Sequence, residues 1–396
     1  MRIKSIEANN FKSLVDFKID LSQFNCLIGL NGSGKSTVLQ FIDFVSQLVR
    51  GDMEGWLNER KWKSSELKSK LMTKMNIDLC VSFADDNGQE VGRWKASYNP
   101  SKNRCTKERI DMFRSFLEAT RGEIHISPLA DSEDEKGWRS KITFDYEGSI
   151  LSALKEDLLP TQILEIKKLM KEIKSLELLS PEYLRQRTRE SSGSLGLGGQ
   201  KLAAFLYELG MTKRQELMSR LRNVYPQLEN LGIKSLKSGW KQLEITEGYE
   251  GYQSNIKGFF PQMTTEARHI NDGMLRLIAI LAELQSSHRF LLFDEIENGI
   301  NPELVEFIIE ALNSTDQQVL VTTHSPMILN YLNDEIATSG VVYLYKTPTG
   351  HSKAIRFFSI PSIAEKLTVM GPGEVFVDTI LTDLAKEIQY LNMEEE

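Results

Sequence analysis

A chain of 396 residues is long enough for one large α/β domain with an attachment, or for two domains. Apolar residues at 41% and charged residues at 26% are the balance of an ordinary globular protein, and no run of 18 apolar residues exists to span a bilayer. The formal charge of −7 argues against wholesale nucleic-acid binding but leaves room for a local basic groove, and three scattered cysteines (Cys26, Cys80, Cys105) supply neither a disulfide framework nor a C-x-x-C metal site. The N-terminal MRIKSIEANNFKS is polar and alternating rather than a signal-peptide core, so the expectation is a cytoplasmic protein with no membrane association.

In chain order, Ile3, Ile6 and Ala8, then Val15, Phe17, Ile19 and Leu21, have the period of half-buried strands. Phe24 to Ile28 is a third, mostly apolar run that ends at Gly29, and Thr37 to Val49 reads as a helix. Residues 51–75 are polar, helical or irregular, and rich in Lys and Arg between Glu59 and Lys74. Residues 76–98 predict a hairpin turning at Asp86-Asn87-Gly88, and Lys141–Tyr146 another strand. From Ile150 to Leu179 the apolar spacing (Leu158, Ile163, Ile166, Leu169, Ile173, Leu176) is helical. Lys167, Lys168, Lys171 and Lys174, followed by Arg185, Arg187 and Arg189, form either a basic groove or a solvated helix face. A Ser/Gly-rich loop at 191–199 precedes a helix from about Gln200. Residues 272–285 predict a helix, 289–294 a strand, 302–312 a helix and 318–322 a strand. A hairpin over 341–358 turns at Thr347-Pro348-Thr349-Gly350. Residues 290–293 and 319–321, apolar on both faces, suit central parallel strands. The expected organisation is a nucleotide-binding core in two halves, 1–149 and 266–396, with a mainly helical lobe at 150–265 inserted between them.

Gly29-Leu30-Asn31-Gly32-Ser33-Gly34-Lys35-Ser36 fits the P-loop pattern between a predicted strand and a predicted helix, the context the motif requires. Successive backbone N–H groups of such a loop wrap phosphates, and the helix N-terminus directs its dipole at the same charge. Gly29, Asn31, Gly32, Ser33, Gly34, Lys35, Ser36 and Thr37 are therefore the candidate ATP cradle. Lys35 is placed to reach the β- and γ-phosphates, and Ser36 to hold Mg²⁺ through its hydroxyl. In RFLLFDEIENG the apolar run ends in Asp294 and Glu295, at the carboxyl edge of a buried strand where α/β proteins bind ligands. Asp294 suits a metal-bound water beside Ser36, and Glu295 suits a base accepting the proton of the attacking water. Two adjacent acids can be mere solvated surface, but the buried run before them argues otherwise. His324 in LVTTHS ends the second buried strand at the same edge, where an imidazole can hydrogen-bond a γ-phosphate.

Together these segments resemble the ABC-type ATPases of the SMC/RecF superfamily, and more closely its bacterial AAA15/AAA21-like branch of RecF-like and OLD-like ATPases. IKSIEANNFKSLVDFKIDL with NCLIGLNGSGKSTVL looks like that family's opening. LGLGGQKLAAFLYEL resembles the patch at the base of its helical lobe, NDGMLRLIAILAEL its signature, DEIENGINP its Walker B and D-loop, TTHSP its switch histidine, and MGPGEVF its closing segment. The resemblance implies an α/β fold, an ABC-type ATPase head with a mixed or antiparallel N-terminal β lobe, a parallel core sheet and an inserted helical lobe. It implies that Asn271, Asp272 and Gly273 form a signature loop that docks on ATP held by a second copy, so that a homodimer shares two sites with Asn298 in the D-loop across the interface. The physics agrees, since a helix N-terminus beside a small glycine is an anion site. YLRQRTRE resembles the Q-loop segment, which makes Gln186 a candidate Mg²⁺ or water ligand, while Arg185 or Arg187 can instead contact phosphate or nucleic acid. The chain departs from the family at Asn271, where Ser is usual, and at Asn301, where His is usual; asparagine still caps helices and donates to phosphate.

A transporter ATPase subunit is disfavoured, because Lys35 and Asp294 stand 259 residues apart and the signature reads NDGMLR rather than LSGGQ. A long SMC arm is also excluded, since the helical pattern at 150–180 spans roughly 45 Å at most. The remaining expectations are an ATPase sensor of an anti-phage or toxin–antitoxin-like system acting with a separate nuclease or toxin, or a RecF-like repair ATPase clamping duplex DNA. About 70 residues follow His324, without an Asp-x-Asp or a His or Cys cluster for a nuclease metal, so further chemistry is expected from another polypeptide.

Overall fold

The computed structural model describes residues 1–128, 137–176, 179–249 and 262–394. The strands in chain order are β1 (Arg2–Asn9), β2 (Phe17–Asp20), β3 (Phe24–Ile28), β4 (Ile77–Ala84), β5 (Glu90–Asn99), β6 (Arg104–Met112), β7 (Ser115–Thr120), β8 (Glu123–Pro128), β9 (Trp138–Lys141), β10 (Ile173–Leu176), β11 (Leu228–Ser235), β12 (Lys241–Gly248), β13 (Gln262–Glu266), β14 (Phe290–Phe293), β15 (Gln318–Thr322), β16 (Val341–Lys346) and β17 (Ser352–Arg356). They form three sheets, in the orders β2-β1-β4-β5-β6-β7-β8-β9, β10-β14-β15-β3-β16-β17 and β11-β12-β13. The first is antiparallel throughout, as its alternating apolar pattern requires. In the second, β10, β14, β15, β3 and β16 run parallel and only β17 returns antiparallel.

The parallel strands are buried on both faces, and their side chains alternate between two cores. Leu27, Leu292 and Leu320 point into the layer under the antiparallel sheet, with the P-loop helix (Lys35–Arg50) between. Cys26, Ile28, Leu291, Phe293, Val319 and Val321 point to the opposite core, which is filled by the helix Asp272–Glu283. That helix buries Met274, Leu275, Leu277, Ile278 and Leu281, so it cannot shift without opening the core.

The expected hairpin over 76–98 is β4–β5, with Ala84 opposite Glu90. Two other expectations are corrected. Strand β9 ends at Lys141, and over Ile142–Tyr146 the only backbone–backbone bond among the described residues is that of Ile142 N–H to Gly122 O. The continuous helix expected from Ile150 to Leu179 is broken at Leu154 and Pro160; the helix Thr161–Lys171 then gives way to β10, whose residues pair with Phe290–Phe293. Ile173 and Leu176 keep helical spacing from Leu169, but a run this short is ambiguous by periodicity, and the distant partner strand decides it. The segment expected as a mainly helical lobe also holds β11, β12 and β13, whose Leu228, Leu231, Leu243 and Ile245 pack under the helices Leu202–Glu208 and Gly210–Arg222. No helix among the described residues is long and apolar enough to cross a membrane.

One buried carboxyl joins the antiparallel sheet to the chain that follows it. Glu108 on β6 is 1% exposed, accepts from Ile150 N–H at 2.7 Å and from Ser149 Oγ–H, and burial pushes its pKa up to about 7. In the unfolded chain it titrates near 4.5. The protonated form is tolerated at no cost below that value, and stability from this group is lost as pH rises through the folded pKa. Glu108→Gln keeps an acceptor for Ile150 and removes the ionisation. We expect its thermal midpoint to gain on the parent's between pH 5 and pH 8; identical pH dependence in the two proteins rules out this account.

Candidate nucleotide site

β14, β15 and β3 end at one level. Phe293 faces Val321, and Val321 faces Cys26, so Asp294, Thr322 and Leu27 form the next row and the P-loop follows two residues later. The P-loop turn is held from outside by a pair of serines. Ser352 Oγ–H donates to Ser33 O at 2.7 Å and lies 2.8 Å from Ser13 Oγ. Gly34 has φ +114°, and a Cβ there would stand 2.4 Å from Ser352 Oγ, so only glycine fits both the backbone and the space.

Lys35 is 6% exposed and its Nζ donates to Gly29 O at 2.9 Å and Leu30 O at 3.3 Å. Burial lowers its pKa, and the nearby carboxylates of Asp294, Glu295 and Glu297 oppose that shift by stabilising the ammonium. Asn31, Gly32 and Ser36 are exposed, while Ser33 Oγ is buried without a partner. The P-loop helix has no side-chain cap and no acid in its first turn, which leaves its N-terminal N–H groups and dipole uncompensated. A triphosphate fits this donor set: it would accept from the free N–H groups and the orphaned Ser33 hydroxyl, and Lys35 would neutralise it. The oxygens of Ser36 and Asp294 are the hard ligands Mg²⁺ takes, so these two residues would hold it, and the ion would supply charge neutralisation between phosphates.

The acid pair is braced by a residue that sequence reasoning missed. Thr322 Oγ–H donates to Asp294 Oδ1 at 2.5 Å and accepts from Glu295 N–H at 2.8 Å, with Thr322 fully buried. Glu295 itself is exposed, holds φ +46°, and receives Asn298 Nδ2–H on Oε2 at 3.2 Å. A left-handed non-glycine at this point costs of order 1 kcal/mol, and the Thr322 bond is what enforces it. Glu297 accepts from Thr323 Oγ–H and from His324 N–H, both at 2.9 Å, which fixes the loop bearing the exposed His324. The threonines were visible in TTHS, but their targets lie 26 to 28 residues away in the chain, so no local signal marked them.

On the other core, Asn271 caps the helix Asp272–Glu283 by accepting from Met274 N–H at 2.8 Å, and Asn301 caps Pro302–Asn313 by accepting from Glu303 N–H at 3.3 Å. Asp272 is exposed and pairs with Arg185, and Gly273 packs so closely that a Cβ would stand 3.0 Å from Gly299 O. Arg276 donates to Leu179 O at 2.6 Å; burial lowers its pKa, against the pull of Glu295 and Asp272. Thus Asn271–Gly273 and the Glu295–Gly299 turn form one cis unit. Gln186 is exposed in the turn after Pro181–Leu184, where its N–H bonds Tyr183 O, and its neighbour Arg185 pairs with Asp272. No group of three metal-ligating side chains exists among the described residues.

A protein-family model described as an AAA ATPase domain matches residues 1–329. Solved SMC heads are similar in structure. The SMC head bound to the C-winged helix domain of ScpA has a TM-score of 0.52 at 14% identity, over 90% of this chain and 97% of that one, and shows the same fold. The SMC head with an extended coiled coil bound to the C-terminal domain of ScpA, from Pyrococcus furiosus, gives 0.49 at 14% identity, over 92% and 99%. The SMC head of Thermotoga maritima gives 0.42 at 11%, over 90% and 99%. Among curated proteins none matches the chain.

The brace yields a prediction. Thr322→Val keeps the buried volume but frees Asp294 and Glu295. Losing a hydrogen bond to a charged group is worth about 1.5–3 kcal/mol, so single-turnover ATP hydrolysis should fall about tenfold or more with nucleotide affinity little changed. A parent-like rate removes Thr322 from the site.

Proposed function

The chain belongs to the AAA ATPase domain family, and on that footing we propose that it binds ATP with Mg²⁺ and hydrolyses it at an interface between two copies. The observation that carries this reading is the convergence at one sheet edge of Lys35, the Asp294–Glu295 pair and the His324 loop, joined through Thr322 and Glu297. In the proposed cycle Lys35 and the P-loop N–H groups bind the phosphates. Glu295, turned outward by its left-handed backbone, accepts the proton of the attacking water. His324 stands at the γ-phosphate side.

The dimeric arrangement is supported by the exposed N-terminus of Asp272–Glu283, which points Asn271–Gly273 outward, and by its rigid link to the turn bearing Glu295. A γ-phosphate from a second copy, docked on that N-terminus, would push on the same unit that holds the base. We place the protein in the cytoplasm as the ATP-driven sensor of an anti-phage or toxin–antitoxin-like system acting with a separate effector, a nuclease or toxin. The acidic net charge of −7 and the departures at Asn271 and Asn301 support this over a duplex clamp. The similar SMC head, seen with a separate polypeptide, supplies a precedent for a head used as a docking body. The inserted segment at about 150–265 is the proposed docking lobe.

Glu295→Gln should keep ATP binding, slow hydrolysis by about 10²-fold or more, and trap a nucleotide-bound dimer in size-exclusion chromatography with light scattering. Hydrolysis at the parent rate excludes Glu295 as the base. Affinity purification of this variant from the native cell should retain a nuclease or toxin in stoichiometric amount; retention of DNA alone points to a repair clamp.

Mixing reports on the shared sites. Lys35→Ala cannot bind the phosphates, and Gly273→Trp drives a ring into Gly299 and the partner's phosphate. Either variant alone should be inactive, and the mixture should recover at most one working site per dimer. Full activity in a protein that stays monomeric with ATP refutes the arrangement.

A further inference from the structure

The antiparallel sheet turns one face to the P-loop helix, and strand pairing fixes which side chains share the other. Glu7, Cys80, Lys95 and Arg109 stand in one row across β1, β4, β5 and β6, and Ser97 and Lys107 continue the next row on β5 and β6. Their neighbours in sequence Val81, Trp94, Ala96 and Ile110 point the opposite way, into the core. This outer face is hollowed into a concavity of about 710 Å³, within the range of small-ligand sites. Cys80, 8% exposed, forms its floor, because a thiol is the shortest side chain of the row. The two rims differ in charge. Glu7 and Lys95 flank Cys80 two strand spacings apart, about 10 Å, and do not pair with each other. Asp78 accepts from Ser97 Oγ–H at 2.6 Å and pairs with Lys74, and Arg109 is held by Asp111 at 2.8 Å and Glu118 at 3.8 Å. By contrast, the Lys95 and Lys107 ammonium groups have no ion pair or hydrogen bond among the described residues. Glu7 has only Lys18, at 3.8 Å.

Lys95 also stands directly opposite Arg109, and like charges so placed destabilise a sheet. A merely solvated face gains nothing from this arrangement, whereas an anion seated between the cations relieves it. We infer that the concavity binds a short peptide with a free amino end and an acidic carboxyl-terminal residue. The peptide ammonium meets Glu7, its chain crosses above Cys80, and its two carboxylates meet Lys95 and Lys107. Extended chain advances about 3.4 Å per residue, so two or three residues span the gap between the rims. A long polyanion does not suit this face, because acids stand on both sides of the cations: Glu7 and Asp78 on one, Asp111 and Glu118 on the other. A simple anion leaves Glu7 unused, and a simple cation leaves both lysines unused. The inference does not require ATP binding or hydrolysis.

The test is isothermal titration calorimetry of the full chain, without nucleotide, at about 50 mM salt, where exposed ion pairs are least screened. The ligands are the peptide Gly-Gly-Glu, its N-acetylated form, its carboxyl-terminal amide, and inorganic phosphate. The expected result is binding of the free peptide below about 5 mM, weakened about fivefold by either block. Lys95→Gln with Lys107→Gln should weaken the free peptide about tenfold and erase the penalty for the terminal amide. Glu7→Gln should erase the penalty for acetylation and keep the other, which assigns each rim to its end of the peptide. All three side chains lie on the solvent face, and circular dichroism checks that the variants fold. Lys35→Ala should bind the peptide like the parent, so failure of the ATPase reading leaves this test intact. No binding up to about 5 mM, equal binding of the blocked peptides, insensitivity to the three substitutions, or phosphate bound as tightly as the peptide each overturns the inference.

Discussion

Parallel pairing between β14, β15 and β3 governs the rest of the molecule. Parallel strands have no common turn, so each must leave the sheet and return, and their carboxyl ends finish on one side. In this chain those ends deliver Asp294, Thr322 and the P-loop to adjacent positions from segments that begin at residues 290, 318 and 24. Burial on both faces makes the register costly to change, since a one-residue slip exchanges the side chains of the two cores. The positions of the reactive groups are therefore set by hydrophobic packing, and the polar contacts refine them.

Those polar contacts divide the edge into two coupled parts. Thr322 binds the acid pair to β15 and Glu297 binds the following turn to the His324 loop, so the acids and the histidine move as one body. Gly273, Arg276 and Gly299 join the same turn to the signature helix on the opposite core. The strained backbone of Glu295 lies between these attachments. A residue that is exposed and left-handed, yet fastened on both sides, can present its carboxylate outward without a mobile loop.

The peripheral sheets serve different ends. The eight-stranded antiparallel sheet covers the P-loop helix with one face and buries large aromatic side chains such as Trp94 and Tyr98. The small sheet β11-β12-β13 supplies one apolar face to the second core, and its strands and flanking segments carry cations and open rings. The P-loop turn depends on the far end of the chain, because Ser352 at the start of β17 fills the space that Gly34 leaves.

What the sequence determined by itself was whatever depends on neighbours in the chain. The run Phe24–Ile28, the glycine-spaced loop and the amphipathic helix after it fix a P-loop whatever the rest does, and FLLFDE states a buried strand ending in acid. The hairpin at Asp85–Gln89 and the helix caps at Asn271 and Asn301 are equally local. Tertiary structure alone decided that Ile173–Leu176 is a strand, since only Phe290–Phe293 offers its hydrogen-bond partners. It also decided that Thr322 and Glu297 brace the site and that Arg185 faces Asp272 while Gln186 stays in solvent. The physical reason is the same in each case: a short apolar run or a single hydroxyl has several satisfactory local states, and a partner many residues away selects among them.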